Sequence, residues 1–169
     1  HILSAVMDYH DRVRELVVYV SETVNHDWTM LDRLHLNDAA GTNSGDGVNP
    51  GGSVGGITLD DNADEGDRDI RSPMITFTLN EAARVKALLI SGTAGGDGSA
   101  LFLDADALAF TDMSTNKLDE DDGNVVTEIE DTTPPTITGV AINYNDVIGG
   151  NPGATLTVDY SETVPTATV

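Results

Sequence analysis

The residues with the most capacity for chemistry are acidic, and they cluster. The stretch "DDNADEGDRD" sets Asp60, Asn62 and Asp64 at i, i+2 and i+4 and follows them with Asp67 and Asp69. Hard cations such as calcium want several oxygen ligands, and Asp and Asn at alternate positions of a tight loop supply them. The EF-hand pattern does not fit, because it places glycine at position six and glutamate at twelve, whereas Gly66 stands at seven and Arg71 at twelve. What remains is a generic Asp-loop cation site, set against the plainer reading of a solvated acidic turn. "LDEDDGN", residues 118–124, is a second candidate of the same type.

Other chemistry finds little purchase. The chain has no cysteine, so it has neither a thiol nucleophile nor a disulfide. It has no G-x-S-x-G elbow, no H-E-x-x-H and no glycine loop with a phosphate-binding lysine. The four histidines, His1, His10, His26 and His35, lack the spacing of a zinc site. A pair of carboxylates among 29 acids is no signal for glycoside hydrolysis. The expectation is a protein that is not an enzyme.

A repeated phrase points elsewhere. Ser-Glu-Thr-Val occurs at 21–24 and again at 161–164, each time after an alternating apolar run. Upstream, Ile2, Val6, Tyr9 and Asp11 correspond to Ile137, Ala141, Tyr144 and Asp146. The copies are 135 residues apart at Ile2 and Ile137 but 140 apart at Ser21 and Ser161, so the second carries extra residues where a hairpin turn would lie. Related repeats commonly differ in this way. The reading is one complete repeat over residues 1–130, a linker at 131–136 and the first two strands of a second repeat at 137–169.

That layout brings further acids into play. A hairpin of 137–144 and 154–160 returns Glu162 to the level of the linker "EDTTPPT", which holds Asp131 and is stiffened by Pro134 and Pro135. Asp131 and Glu162 would then clamp a cation at the junction, with acids of "LDADA" or "FTDMSTN" as further ligands, and Glu22 would face whatever precedes residue 1. The alternative is that Ser-Glu-Thr-Val merely turns the chain out of a strand.

Composition sets the bounds. In 169 residues, 29 acidic and 8 basic side chains leave a formal net charge of −21, and Lys86 and Lys117 are the only lysines. Such a surface repels nucleic acid and anionic membranes, whose binding needs Lys and Arg to neutralise phosphates. A compact state with this charge also repels itself and calls for bound cations or high salt. A calcium-loaded extracellular protein and a halophile's solvated acidic surface both fit. No apolar run is long enough to cross a bilayer, and no secretory signal is visible. A chain beginning at His1 reads as a processed or internal segment, so the missing signal says little about location. There is no N-x-[ST] glycosylation acceptor.

The elements that must position these residues are mostly strands. Period-2 alternation rich in Val, Ile, Thr and Tyr predicts strands near 2–9, 14–20, 31–36, 54–59, 73–79, 100–103, 106–111, 125–129, 137–144 and 154–160. Many short strands with turn signals between them describe two packed antiparallel sheets. "LNEAARVKALLISG" breaks the pattern as a short crossover helix, with Asn80 as N-cap and Ala82, Val85, Leu88 and Leu89 on one face, ending at Gly92. Residues 37–56, rich in Gly, Asn and Ser, form a surface loop, either a tolerated insertion or a binding loop.

The segments "DTTPPTITGVAINYND", "YSETV", "ITFTLNEAARVKALL" and "LFLDADALAFTDMSTN" resemble the tandem Ig-like repeats of bacterial and archaeal surface proteins, adhesins and surface-layer proteins. The chain departs from that pattern at 113–116, where "MSTN" replaces a small Gly-Asn turn, and in the 37–56 loop. The resemblance implies an all-β, Ig-like antiparallel sandwich that is extracellular, non-enzymatic and often calcium-stiffened between repeats. Carried onto matching positions, it makes Glu22, Asp131 and Glu162 junction ligands, with Asp112 beside them. Two functions are open. One is a structural repeat of a surface layer, stalk or filament whose partners are copies of itself or adjacent repeats, assembling head to tail by strand complementation. The other is an adhesin module that binds a glycan or surface protein through the 37–56 loop.

Overall fold

The computed structural model describes residues 1–10, 13–25, 29–40, 57–59, 63–65, 72–148 and 151–164. The chain divides into two compact units, His1–Asp131 and Thr132–Val169.

The first unit is built on the alternation of "ILSAVMD" and "ELVVYVSETV". These runs form β1 (Ile2–Asp8) and β2 (Glu15–Val24), an antiparallel hairpin. Ile2, Ala5, Met7, Leu16, Val18 and Val20 are buried while the residues between them are more open, as period-2 chemistry requires. The register steps from Ile2↔Val20 to Ser4↔Tyr19, so Leu3 is the extra residue of a bulge. There follow β3 (Leu34–Asn37), β4 (Ile57–Thr58), β5 (Ala63–Glu65), β6 (Ser72–Leu79), α1 (Glu81–Leu89), β7 (Phe102–Ala105) and β8 (Asp121–Ile129).

Together these strands make one eight-stranded sheet in the order β4-β3-β7-β8-β1-β2-β6-β5. It is mixed and curled, with a single core that takes Leu34, Leu36 and Leu103 from one end and Met7, Leu16, Ile75 and Phe77 from the other. The expectation of purely antiparallel sheets is corrected here, because β1 runs parallel to β8. A parallel neighbour needs a long crossover, and nearly the whole unit lies between these two strands.

Some boundaries also move. The expected strand at 106–111 is a loop: Leu108 takes φ 75°, its N–H donates to the Leu118 carbonyl at 2.8 Å, and Ala109 N–H closes a turn on Asp106 at 3.1 Å. The apolar pattern there comes from Ala109 and Phe110 plugging the core. Residues 31–33 make a turn of 3-10 helix ahead of β3. β8 begins at Asp121 and absorbs most of the "LDEDDGN" stretch, where Gly123 adopts φ 74° and donates its N–H to the buried Asp104 at 2.6 Å.

The helix starts as expected, with the Asn80 side chain accepting the Ala83 N–H at 2.8 Å. Its buried face differs. Ala83, Arg84 and Ala87 face inward, whereas Ala82 and Leu89 are exposed. Small alanines let the helix approach the sheet closely, and Arg84 can be buried because Glu81 and the Tyr9 carbonyl satisfy its guanidinium.

The second unit is a single antiparallel hairpin of β9 (Ile137–Ile148) and β10 (Asn151–Tyr160). Among the described residues no helix is long and apolar enough to cross a membrane.

Candidate functional site

The Ser-Glu-Thr-Val phrase of the first unit closes β2, where Val24 bridges both Ser72 of β6 and Asp112. Asn25 N–H donates to the Thr111 carbonyl at 2.8 Å, which docks the 106–118 loop against the strand end. Between them lies an open recess of about 180 Å³, with Ser21, Glu22, Asp112, Asn116, Lys117 and Asp119 among its lining residues. Glu22 and Asp112, 90 positions apart in sequence, thus share one concavity.

Asp112 is already employed by its own turn. One carboxylate oxygen accepts the N–H groups of Ser114 and Asn116, each at 2.7 Å, and the other accepts the Asn116 amide, also at 2.7 Å. These bonds, the Asn116 side chain first, hold the Asp112 carboxyl below the usual carboxylate range. The "MSTN" segment is therefore a turn wrapped on Asp112, with Thr115 at φ 70° in the place a glycine would favour. The recess gathers the acids Glu22, Asp112 and Asp119, with Lys117 and His1 also among its lining residues. Among the described residues, no group of three or more His, Asp or Glu side chains converges closely enough to hold a metal ion.

The other candidates are dispersed. Asp131 ends the first unit, with its carboxylate largely covered and 4.0 Å from the Arg84 guanidinium. Glu162 belongs to the second unit, just beyond β10. Asp64 lies in β5, an edge strand paired to β6 through Asp64↔Thr78, so its backbone is not the apex of a loop. Asp60, Asn62, Asp67 and Asp69 lie outside the described residues, as do residues 41–56 of the Gly-rich loop.

No protein-family model, curated protein or solved structure matches the chain.

One cluster escaped the reading of the sequence. Tyr9 is fully buried and donates its O–H to Glu128 at 2.7 Å, and the other Glu128 oxygen accepts the Gly92 N–H at 3.1 Å. Burial, reinforced by Glu128, pushes the Tyr9 hydroxyl far above its ordinary value. Arg84 joins the same region by donating to the Tyr9 carbonyl at 3.0 Å and to both oxygens of Glu81 at 2.8 Å. The cluster ties α1 to β1 and β8. Its only trace in the sequence is the i, i+3 spacing of Glu81 and Arg84.

The most informative geometry is a duplication. In β1–β2 the pairs are Ile2↔Val20, Ser4↔Tyr19, Ala5↔Val18, Val6↔Val17 and Met7↔Leu16. In β9–β10 they are Ile137↔Tyr160, Gly139↔Asp159, Val140↔Val158, Ala141↔Thr157 and Ile142↔Leu156. The two registers coincide pair for pair, and the bulge falls at Leu3 in one and Thr138 in the other. The flanking bonds recur too. Ser21 N–H donates to the His1 carbonyl at 2.8 Å while the His1 nitrogen donates to the Ser21 hydroxyl at 3.1 Å. Ser161 and Thr136 make the same exchange at 2.8 and 3.0 Å. At the other end, His10 N–H donates to Asp8 at 2.9 Å and Asn145 N–H to Asn143 at 3.0 Å.

Proposed function

We propose that this chain is a non-enzymatic structural element of an extracellular surface layer, stalk or filament, made of Ig-like repeats that are stiffened by cations, calcium first among them. The observation that carries the reading is the duplicated hairpin, since the same register, bulge and serine exchange support a common origin of the two segments as repeats. The reading assigns Glu22 and Glu162 one role, that of an acid presented at the start of each repeat. In the first unit that acid shares a recess with Asp112, which supports a cation held there by a few carboxylates together with water and main-chain oxygens. Neighbouring repeats and other copies of the chain are the partners, and head-to-tail association is the mode of assembly.

Thermal unfolding of the 169-residue chain in chelator and in millimolar calcium, at fixed ionic strength, tests this. Defined cation sites raise Tm in calcium beyond what matched sodium chloride achieves, and Glu22→Ala and Glu162→Ala each reduce that rise. If sodium chloride gives the same stabilisation, the acids are a screened surface and the cation part of the proposal is wrong.

A further inference from the structure

The duplicated hairpin sets Ile2 against Ile137, so a repeat opens with β1 and closes with β8, which leads to Asp131 at the boundary of the first unit. These first and last strands are neighbours in the middle of the sheet, and they run parallel. The chain therefore enters the unit at one end of the β1/β8 pair and leaves it at the other. Tension along the chain draws the two strands in opposite directions along their own length. Antiparallel terminal strands would put entry and exit side by side, and tension would open them one pair at a time.

The seam between these strands is bonded along its length and tied at both ends. Its register is Ala5↔Val126, Val6↔Thr127, Met7↔Glu128 and Asp8↔Ile129, and Tyr9 N–H donates to the Ile129 carbonyl at 3.1 Å. At the entry, Ile2 N–H donates to the Asp121 carboxylate at 2.6 Å. At the exit, the Tyr9 hydroxyl donates to Glu128 at 2.7 Å. Arg84 joins the two strand ends there, donating to the Tyr9 carbonyl at 3.0 Å and lying 4.0 Å from Asp131. The guanidinium is itself anchored, since both Glu81 oxygens accept from it at 2.8 Å.

Packing blocks slippage as well. Ala5, Met7 and Tyr9 on one side of the seam and Val126 on the other are buried. Sliding β1 by one residue, about 3.3 Å, would turn its buried side chains out of the core and bring Val6 and Asp8 in. The bonds of the seam must therefore all break before any can form again.

Building on the structural-repeat reading, in which load passes from repeat to repeat, we infer that the first unit is a load-bearing element. Its β1/β8 seam carries axial tension in shear, with Arg84 and the Tyr9–Glu128 bond as pins at the exit. The paired positions share the load at once, so they resist more than the same bonds loaded in turn. Such resistance is set by the unfolding barrier and not by equilibrium stability.

Single-molecule pulling of the full chain reads this directly. The chain has no cysteine, so introduced pairs give unique handles. His1→Cys with Thr132→Cys loads the seam along its length, whereas His10→Cys with Thr132→Cys grips both strands at the exit and peels them apart. His1 and Thr132 are exposed and His10 is partly so. If His10→Cys lowers the melting temperature, Val13→Cys in the following turn gives the same peeling direction. Unfolding of the first unit releases about 40 nm of chain in either geometry, at roughly 3.5 Å per residue. At one loading rate the lengthwise pull should need several-fold more force than the peel and should release the unit in one step. Tyr9→Phe, which keeps the ring and deletes a pin, should lower the lengthwise force. Three results would overturn the inference: equal forces in the two geometries, a lengthwise release in several small steps, or a Tyr9→Phe chain as resistant as the wild type. All pulling is done in chelator. Equal forces beside an intact calcium effect on Tm would reject the clamp alone, and unequal forces without that effect would reject the cation part of the repeat reading alone.

Discussion

The hairpins β1–β2 and β9–β10 share a register, a bulge and their end bonds, yet they live in opposite environments. Met7 and Tyr9 are completely buried, while their counterparts Ile142 and Tyr144 are 51% and 74% exposed. In the first unit the hairpin lies between β8 and β6 and packs over a core; in the second it is a sheet of two strands. The pairing of a hairpin is therefore specified locally, by alternation and strand chemistry, while its stability is contributed by what covers it. A two-stranded sheet is marginal by itself in water.

Substitutions at matched positions give the largest contrast. Met7→Ala and Leu16→Ala should each destabilise the first unit by about 2–5 kcal/mol, because they remove buried volume from a packed core. Ile142→Ala and Leu156→Ala should change stability by about 0.5 kcal/mol or less. Chemical denaturation of dilute protein measures both, and a large loss at Ile142 would mean that the hairpin face is covered in solution.

A smaller difference is expected at the paired tyrosines. Tyr9→Phe withdraws the donor from Glu128 inside the fold and should cost about 1–2 kcal/mol. Tyr144→Phe should leave the melting temperature where it was, since Tyr144 is exposed and is not enclosed by a core. Equal effects at the two positions would break the comparison.

The serine exchange tests the likeness instead of the difference. Ser21→Ala and Ser161→Ala each delete one exposed bond and should cost about 0.5 kcal/mol. Amide exchange at Thr136 should quicken in Ser161→Ala, and an unaltered rate would argue against the bond that the two hairpins share.

The smallest effect concerns pH. At the end of β1, His10 bonds Asp8 through its ring at 2.7 Å, and this bond to Asp8 raises its pKa above the ordinary value. The equivalent pair in the second hairpin, Asn143 and Asn145, cannot titrate. The contribution of His10 to stability is thus complete below its unfolded-state pKa, near ~6.5, and is lost as pH rises through the higher folded-state value. An NMR titration should place His10 above the unfolded reference and move it down in Asp8→Asn. No movement would sever the link between the charge and the turn.

Much of this architecture was legible beforehand. Alternation located β1, β2, β6, β9 and β10 to within a few residues, because a half-buried strand must alternate. Asn80 announced the start of α1, since a helix N-terminus needs its orphan N–H groups satisfied. The helix's buried face was missed because Arg84 goes inside, a choice made by partners on distant elements. The strand expected at 106–111 failed for a related reason: Ala109 and Phe110 are buried by docking a loop, and a short buried apolar run reads in sequence like a strand. For the site, Glu22 and Asp112 were both legible as acids, but only the bridge from Val24 to Asp112 brings them to one recess.

The tetrapeptide that occurs twice shows where that boundary lies. Ser21–Val24 is strand, whereas Ser161 and Glu162 form a bend beyond β10. The residues are identical, so the difference cannot be local. Ser72 and Asp112 give Val24 backbone partners, and an extended segment is held straight only when neighbouring strands accept its hydrogen bonds. Composition and alternation settled the charge, the strands β1, β2 and β6 and the repeated hairpin, because these depend on side chains near in sequence. Partnership, burial and the parallel seating of β1 beside β8 depend on residues far away in sequence, 48 and 88 positions for the partners of Val24 and 121 for Ala5 beside Val126, and they came only with the tertiary fold.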